Sequence, residues 1–174
     1  MFFKYYKKIL YILPFFILSV FALPFYQRSG SAFLPSIARH SGEVEYFLVK
    51  RVVDGDTILL DNGERVRYIG MDTPESVKPD SPVECFGKEA SERNKELVLG
   101  KTVRLKKDVS EKDAYGRLLR YVYIDDTFVN LELVDEGYAK AYTKKPDVKY
   151  SGIFKEAERK AKEKKLNMWG ACMH

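Results

Sequence analysis

The sequence predicts an α+β domain that is mainly β, a five-stranded Greek-key barrel with about three helices. Three observations carry this. Short runs of β-branched and aromatic residues recur between turn signals, the first three arrive with no helix between them, and helical periodicity is confined to three later segments. Strands that follow one another directly disfavour a parallel α/β architecture, which needs a crossover between neighbours. A small closed barrel of the OB type accommodates five such strands with interspersed helices.

The first run is Tyr46–Val49 with Val52 and Val53, and the second is Thr57–Leu60. Asp61-Asn62-Gly63 then marks a hairpin, because Asn-Gly supplies the positive φ angles that a tight turn demands. Arg65–Ile69 alternates and completes a meander. Lys88–Leu99 carries Ala90, Asn94, Leu97 and Val98 at helical spacing, with Gly100 placed to end the helix. Thr102–Leu105 and Leu118–Ile124 read as further strands, and Val129–Glu136, ended by Gly137, as a short helix. Ile153, Phe154, Ala157 and Ala161 define a last amphipathic helix whose other face is rich in Lys and Glu. Trp169 is expected to pack that end of the chain onto the barrel.

A 174-residue chain has room for one domain and an additional terminal segment. Lys4, Lys7 and Lys8 precede an uncharged stretch over residues 9–26, the pattern of a positive n-region and an apolar h-region. Residues 1–28 therefore read as a signal peptide or an N-terminal membrane anchor. Cleavage near Ala22 or Ser31 and retention in the membrane through residues 9–26 both fit. Residues 29–43 read as a linker, and 44–174 as the folded domain. Export is expected, either as a secreted protein or as one anchored to the outer face of the cytoplasmic membrane. The formal charge of +5 resides mostly in the leader: four of the 30 Lys and Arg residues lie in 1–28, leaving 26 against 25 acids. Attraction to a polyanion must then come from a local patch. Cys85 and Cys172 have no CxxC partner; in an exported chain they form a possible disulfide, the alternative being two unrelated thiols.

Two histidines, His40 and His174, lie in the linker and at the terminus. A Ser-His-Asp triad or a histidine zinc site is therefore excluded as a reading, and no GxxxxGK phosphate loop occurs. An enzyme built from this chain works with carboxylates, arginines and a hard metal. Three segments supply these: Val53-Asp54-Gly55-Asp56-Thr57, Arg67 followed by Asp72-Thr73-Pro74-Glu75, and Asp113-Ala114-Tyr115-Gly116-Arg117. Each alone is an ordinary polar turn. Together they hold what phosphodiester hydrolysis needs: oxygen ligands for a cation, a carboxylate to activate water, and guanidinium groups that bind phosphate as a fork.

In order and spacing these motifs resemble the staphylococcal nuclease family, across roughly residues 45–170. Supporting matches are Phe86-Gly87 with Glu89-Ala90-Ser91, Val129-Asn130, Glu136-Gly137 with Ala139-Lys140, and Leu166-Asn167-Met168-Trp169. The resemblance implies a calcium-dependent nuclease that cleaves DNA and RNA with little sequence preference and favours unpaired strands. It implies Ca²⁺ bound by Asp56, Asp72 and the carbonyl of Thr73, with Asp54 orienting water around the ion. Glu75 would serve as general base. Arg67 and Arg117 would hold the phosphate, Arg117 nearest the leaving 5′-oxygen, while Tyr115 contacts a terminal phosphate and Tyr142 stacks near the base. A monomer is expected. Ala114 and Lys144 depart from the family pattern, which bears on nucleotide affinity rather than on the core chemistry. A catalytically dead nucleic-acid-binding module would show gaps among the arginines and acids, and a purely structural barrel would not need them.

Overall fold

A computed structural model describes residues 44–76 and 82–172. The expected leader (1–28), the linker (29–43) and His174 lie outside the described residues. Among the described residues no helix is long and apolar enough to cross a membrane.

The chain runs β1 (Val44–Asp54), β2 (Thr57–Leu60), β3 (Arg65–Tyr68), β4 (Met71–Asp72), α1 (Gly87–Val98), β5 (Thr102–Lys106), β6 (Leu118–Ile124), β7 (Thr127–Phe128), α2 (Val129–Asp135), β8 (Lys140–Ala141), α3 (Ser151–Glu163) and α4 (Met168–Ala171). The five predicted strands are present as β1, β2, β3, β5 and β6, with the three predicted helices; β4, β7 and β8 are short additions, and α4 is a fourth, four-residue helix.

β1 serves two neighbours. Its first half pairs antiparallel with β5, Val44 opposite Lys106 through Leu48 opposite Thr102. Its second half pairs with β2, with register shifts between Val49 and Arg51 and between Val52 and Asp54. Such shifts bend and twist a strand, which lets one segment turn a barrel corner. The sheet order is β3-β2-β1-β5-β6-β7, and β3 also pairs with β6, in parallel, so the first five of these strands close on themselves. Alternation then sends Val49, Ile58, Leu60, Val66, Val103 and Leu105 into the barrel, all essentially without solvent exposure.

The helices cover what the barrel leaves open. α1 buries Ala90, Asn94 and Val98, one stripe at four-residue spacing, and α3 buries Phe154, Ala157 and Ala161. α2 is locked to the barrel by a polar pin. Asn130, 0% exposed, accepts the Val122 N–H at 2.9 Å and donates to the carbonyls of Ile69 at 2.9 Å and Arg120 at 3.3 Å. One amide thereby satisfies main-chain groups of β6 and of the turn after β3.

Arg120 is a buried cation on β6, an unusual place for a charge. It pairs with Glu111 and, at 3.4 Å, with Glu45, and donates to the carbonyls of Glu111 and Leu119 at 3.2 and 3.0 Å. The long β5–β6 connection is thereby tied to the barrel wall. The same connection is held at its start by Asp147, which accepts the N–H groups of Val109 and Ser110 at 3.0 and 2.8 Å.

Asn130→Ala strands the Val122 N–H and the Ile69 carbonyl in a dry interior. A loss of about 2–4 kcal/mol in unfolding free energy is expected, read from urea denaturation with the disulfide intact.

Candidate active site

The turn from β1 into β2 places Asp54 and Asp56 at the barrel end, both nearly buried. Asp54 Oδ1 accepts the Gly55 N–H at 2.8 Å and the Ser76 hydroxyl at 2.6 Å. The Asp54 carbonyl accepts from Asn94 of α1 at 3.3 Å, and Asn94 in turn accepts the Tyr68 hydroxyl at 3.0 Å. The acidic turn is thus fastened to α1 through buried hydrogen bonds. Asp56, 1% exposed, accepts the Thr57 hydroxyl at 2.9 Å and the Thr73 N–H at 3.3 Å.

Arg67 stands on β3 opposite Thr57, so its guanidinium reaches Asp56 directly: Nη1 to Oδ1 is 2.6 Å. Its other terminal nitrogen pairs with Asp72. The two carboxylates are therefore only one guanidinium apart. Asp72 is held there by the pairing of β4 with β8, Met71 opposite Ala141 and Asp72 opposite Lys140. The next residue, Tyr142, donates its N–H to the Gly70 carbonyl at 2.9 Å, which brings its ring to the same cleft.

Electrostatics follow from crowding. Asp56, Asp72 and Glu75 gather around Arg67, with Asp54 beside Glu75, an excess of negative charge. Burial pushes the Asp56 carboxyl above its ordinary value, against the lowering effects of Arg67, the Thr57 hydroxyl and the Thr73 N–H. Glu75 is also raised, first by burial, then by the Asp54 charge and a hydrogen bond with Asp54, with Arg67 opposing. Burial disfavours the Arg67 cation, but Asp56 and Asp72 outweigh it and raise its pKa.

Arg117 approaches from the β5–β6 connection. Its Nε donates to Asp113 Oδ2 at 2.7 Å, while Asp113 Oδ1 accepts the N–H groups of Tyr115 and Arg117 at 2.9 and 3.0 Å. These donors hold the Asp113 carboxyl below its ordinary value against the opposing effect of burial. Asp113 thus fixes the guanidinium by its Nε edge; among the described residues the two terminal nitrogens have no ion-pair partner. Tyr115 is 86% exposed, with the Arg117 guanidinium carbon 5.4 Å from its ring centroid.

A cleft of about 450 Å³ joins these parts, with Arg67, Asp72, Glu75, Arg117 and Tyr142 in its wall. Asp54, Asp56 and Thr73 lie behind that wall, nearly inaccessible to solvent. Sequence reasoning missed Asp113 as the clamp on Arg117, Ser76 as a donor to Asp54, and the Asn94–Tyr68 brace. Only Asp113 left a trace, an acid four residues before an arginine in a turn. Among the described residues no three Asp, Glu, His or Cys side chains converge on a metal-binding point. The donor set near Arg67 is two carboxylates plus main chain, all hard oxygen, and the surplus negative charge suits a divalent cation. The Thr73 hydroxyl, buried and without a hydrogen-bond partner among the described residues, adds a further oxygen beside Asp56.

Cys85 and Cys172 form a disulfide, with Cα atoms 5.9 Å apart. Trp169 lies in α4, with the Lys162 ammonium of α3 4.4 Å from its ring centroid.

Comparison with known proteins agrees with this architecture. Residues 65–171 match the family model described as staphylococcal nuclease homologue. The chain is 47% identical over 128 residues to a thermonuclease of Staphylococcus intermedius, covering 72% of this chain and 76% of that protein. It is 39% identical over 153 residues to a thermonuclease of Staphylococcus hyicus, covering 86% and 89%. It is also 46% identical over 124 residues to the endonuclease YncB of Bacillus subtilis, covering 68% of this chain and 59% of that protein. A closed five-stranded barrel, a cleft of arginines and acids, and matches of this extent lead to one conclusion: the chain is a hydrolase of the nuclease class and belongs to the staphylococcal nuclease family.

Proposed function

We propose that this chain is a calcium-dependent nuclease that hydrolyses phosphodiester bonds of single-stranded DNA and RNA with low sequence specificity. The observation that carries the reading is the shared cleft of Arg67, Asp72, Glu75 and Arg117. Two guanidinium groups, which bind phosphate as a fork, share this cleft with a carboxyl whose pKa is raised.

Ca²⁺ would be held by the carboxylates of Asp56 and Asp72 and the carbonyl of Thr73, with Asp54 acting through water. When bound it supplies Lewis-acid polarisation of the phosphoryl oxygens. The remaining roles belong to the chain's own groups. Glu75 takes the proton from the attacking water, a task that a raised carboxyl pKa favours. Arg117, steadied at Nε by Asp113, turns its free terminal nitrogens to the phosphate and neutralises charge as it builds toward the leaving 5′-oxygen. Arg67 shares its guanidinium between the acids and the phosphate. Tyr142 offers a ring face on which any base can stack, which supports breadth of substrate, and Tyr115 beside Arg117 offers its hydroxyl to a terminal phosphate. The Lys-rich start followed by residues 9–26 supports export or tethering to the outer face of the cytoplasmic membrane, and the closed barrel supports action as a monomer.

The purified full chain in mild detergent should cleave single-stranded DNA with Ca²⁺ and stop when the ion is chelated; cleavage that ignores chelation overturns the metal assignment. Arg117→Ala should lower kcat by on the order of 10² to 10³ with an unchanged urea midpoint. Glu75→Gln should cause a loss of similar size. Wild-type turnover in either folded variant removes that residue from the chemistry.

A further inference from the structure

Glu75 is gripped from a direction that the catalytic reading does not use. Its carbonyl accepts the Glu84 N–H at 3.0 Å, and its own N–H donates to Glu84 Oε2 at 3.2 Å. Both polar groups of the Glu75 main chain therefore rest on one residue. The Glu84 carbonyl accepts the Gly87 N–H at 2.9 Å, closing a turn. Gly87 lies so near that a Cβ there would come within 2.5 Å of the Glu75 carbonyl oxygen, so glycine is what permits the contact. Within the turn Phe86 has φ +69°, a left-handed conformation that a bulky residue keeps only when its surroundings impose it. Its ring packs on Tyr138, centroids 5.9 Å apart.

Cys85 sits in the middle of this turn, exposed to solvent, and its disulfide runs to Cys172 at the end of α4. α4 is itself anchored: Met168 is buried and donates its N–H to the Gly137 carbonyl at 3.2 Å, while Asn167 donates to the Glu136 carbonyl at 2.8 Å. A continuous path thus leads from the body of the domain through α4, the disulfide and the 84–87 turn to the main chain of Glu75.

We propose that Glu84 and the Cys85–Cys172 disulfide are positioning elements for Glu75, so that thiol–disulfide exchange at this bond raises and lowers nuclease turnover. The proposal rests on Glu75 serving as the base. In the reducing direction one thiolate of a dithiol attacks a disulfide sulfur to give a mixed disulfide, which the second thiol resolves. Two electrons and two protons pass to the protein, leaving Cys85 and Cys172 as thiols and the reagent as its cyclic disulfide. A small-molecule disulfide reverses the step. A chain made among thiols and released into an oxidising medium gains turnover on release.

The test uses the full chain, oxidised and after dithiothreitol, beside a Cys85→Ser/Cys172→Ser double variant, Glu84→Ala and Glu84→Gln. Reduction should lower kcat on single-stranded DNA by on the order of tenfold, with KM within about twofold, as misplacement of a catalytic group does. The double variant should match the reduced chain and ignore dithiothreitol. Glu84→Ala should lose turnover similarly, whereas Glu84→Gln, which keeps an oxygen to accept the Glu75 N–H, should retain it. Without calcium, hydrogen exchange of the Glu84 amide should quicken by about tenfold or more on reduction while that of Val122 in β6 stays unchanged. Unchanged kcat and Glu84 exchange on reduction, in a chain that Glu75→Gln inactivates, overturn the inference and leave the functional reading standing. Faster Val122 exchange with raised KM also overturns it, since that is general loosening. If the oxidised chain does not cleave at all, the functional reading fails, and Glu84 exchange still decides whether the disulfide grips Glu75.

Discussion

The parallel pairing of β3 with β6 sets Val66 opposite Leu118 and Arg67 opposite Leu119. Because the strands are hydrogen-bonded neighbours, Arg67 on one and Arg117 just before the other open onto the same end of the barrel. The meander contributes Asp54 and Asp56 to that end because β1 and β2 meet there in a tight turn. Every other feature of the site presupposes this closure: β4 extends from β3, and the β5–β6 connection is the approach to β6. The buried Arg120 and Asn130 tie the same strand to its surroundings.

Closure brings like charges together, and the protein tolerates this through unequal solvation. Asp56 is sealed behind Arg67, and its carboxylate accepts from that guanidinium, the Thr57 hydroxyl and the Thr73 N–H. Glu75 stands nearer solvent, and after burial the negative charges of Asp54 and Asp56 raise its carboxyl pKa, with Arg67 opposing them. Asp56 and Glu75 are thus both pushed toward holding a proton, the first sealed against a guanidinium and the second facing the cleft.

Much of this was legible in the chain. The apolar run Thr57–Leu60 and the alternation in Arg65–Tyr68 and Leu118–Ile124, with Asn62-Gly63 between the first two, are local signals that folding does not override. The spacing of Arg67, Asp72 and Glu75 is equally local, since a strand end and Pro74 fix their relation. Other parts left no such trace. β4 and β8 are two residues each, too short for any periodicity, and only their pairing across seventy residues makes them strands. Arg120 sits in an otherwise apolar strand, and its burial depends on Glu111 and Glu45 arriving from elsewhere. Glu84 is one acid among many in the sequence; its grip on Glu75 exists because a turn and a disulfide bring it back.

The disulfide also divides the molecule in a way its role near Glu75 does not suggest. With its ends 87 positions apart, it makes a covalent ring of most of the domain, from α1 to the close of α4. Arg117, Tyr115 and Tyr142 lie inside the ring, whereas Asp54, Asp56, Arg67, Asp72 and Glu75 lie on the strand leading into it. A protease that nicks the exposed turn around Tyr115 therefore opens the ring without releasing a fragment. Both halves of the cleft stay on one molecule, and a nicked chain migrates as a single species until its sulfur bridge is reduced.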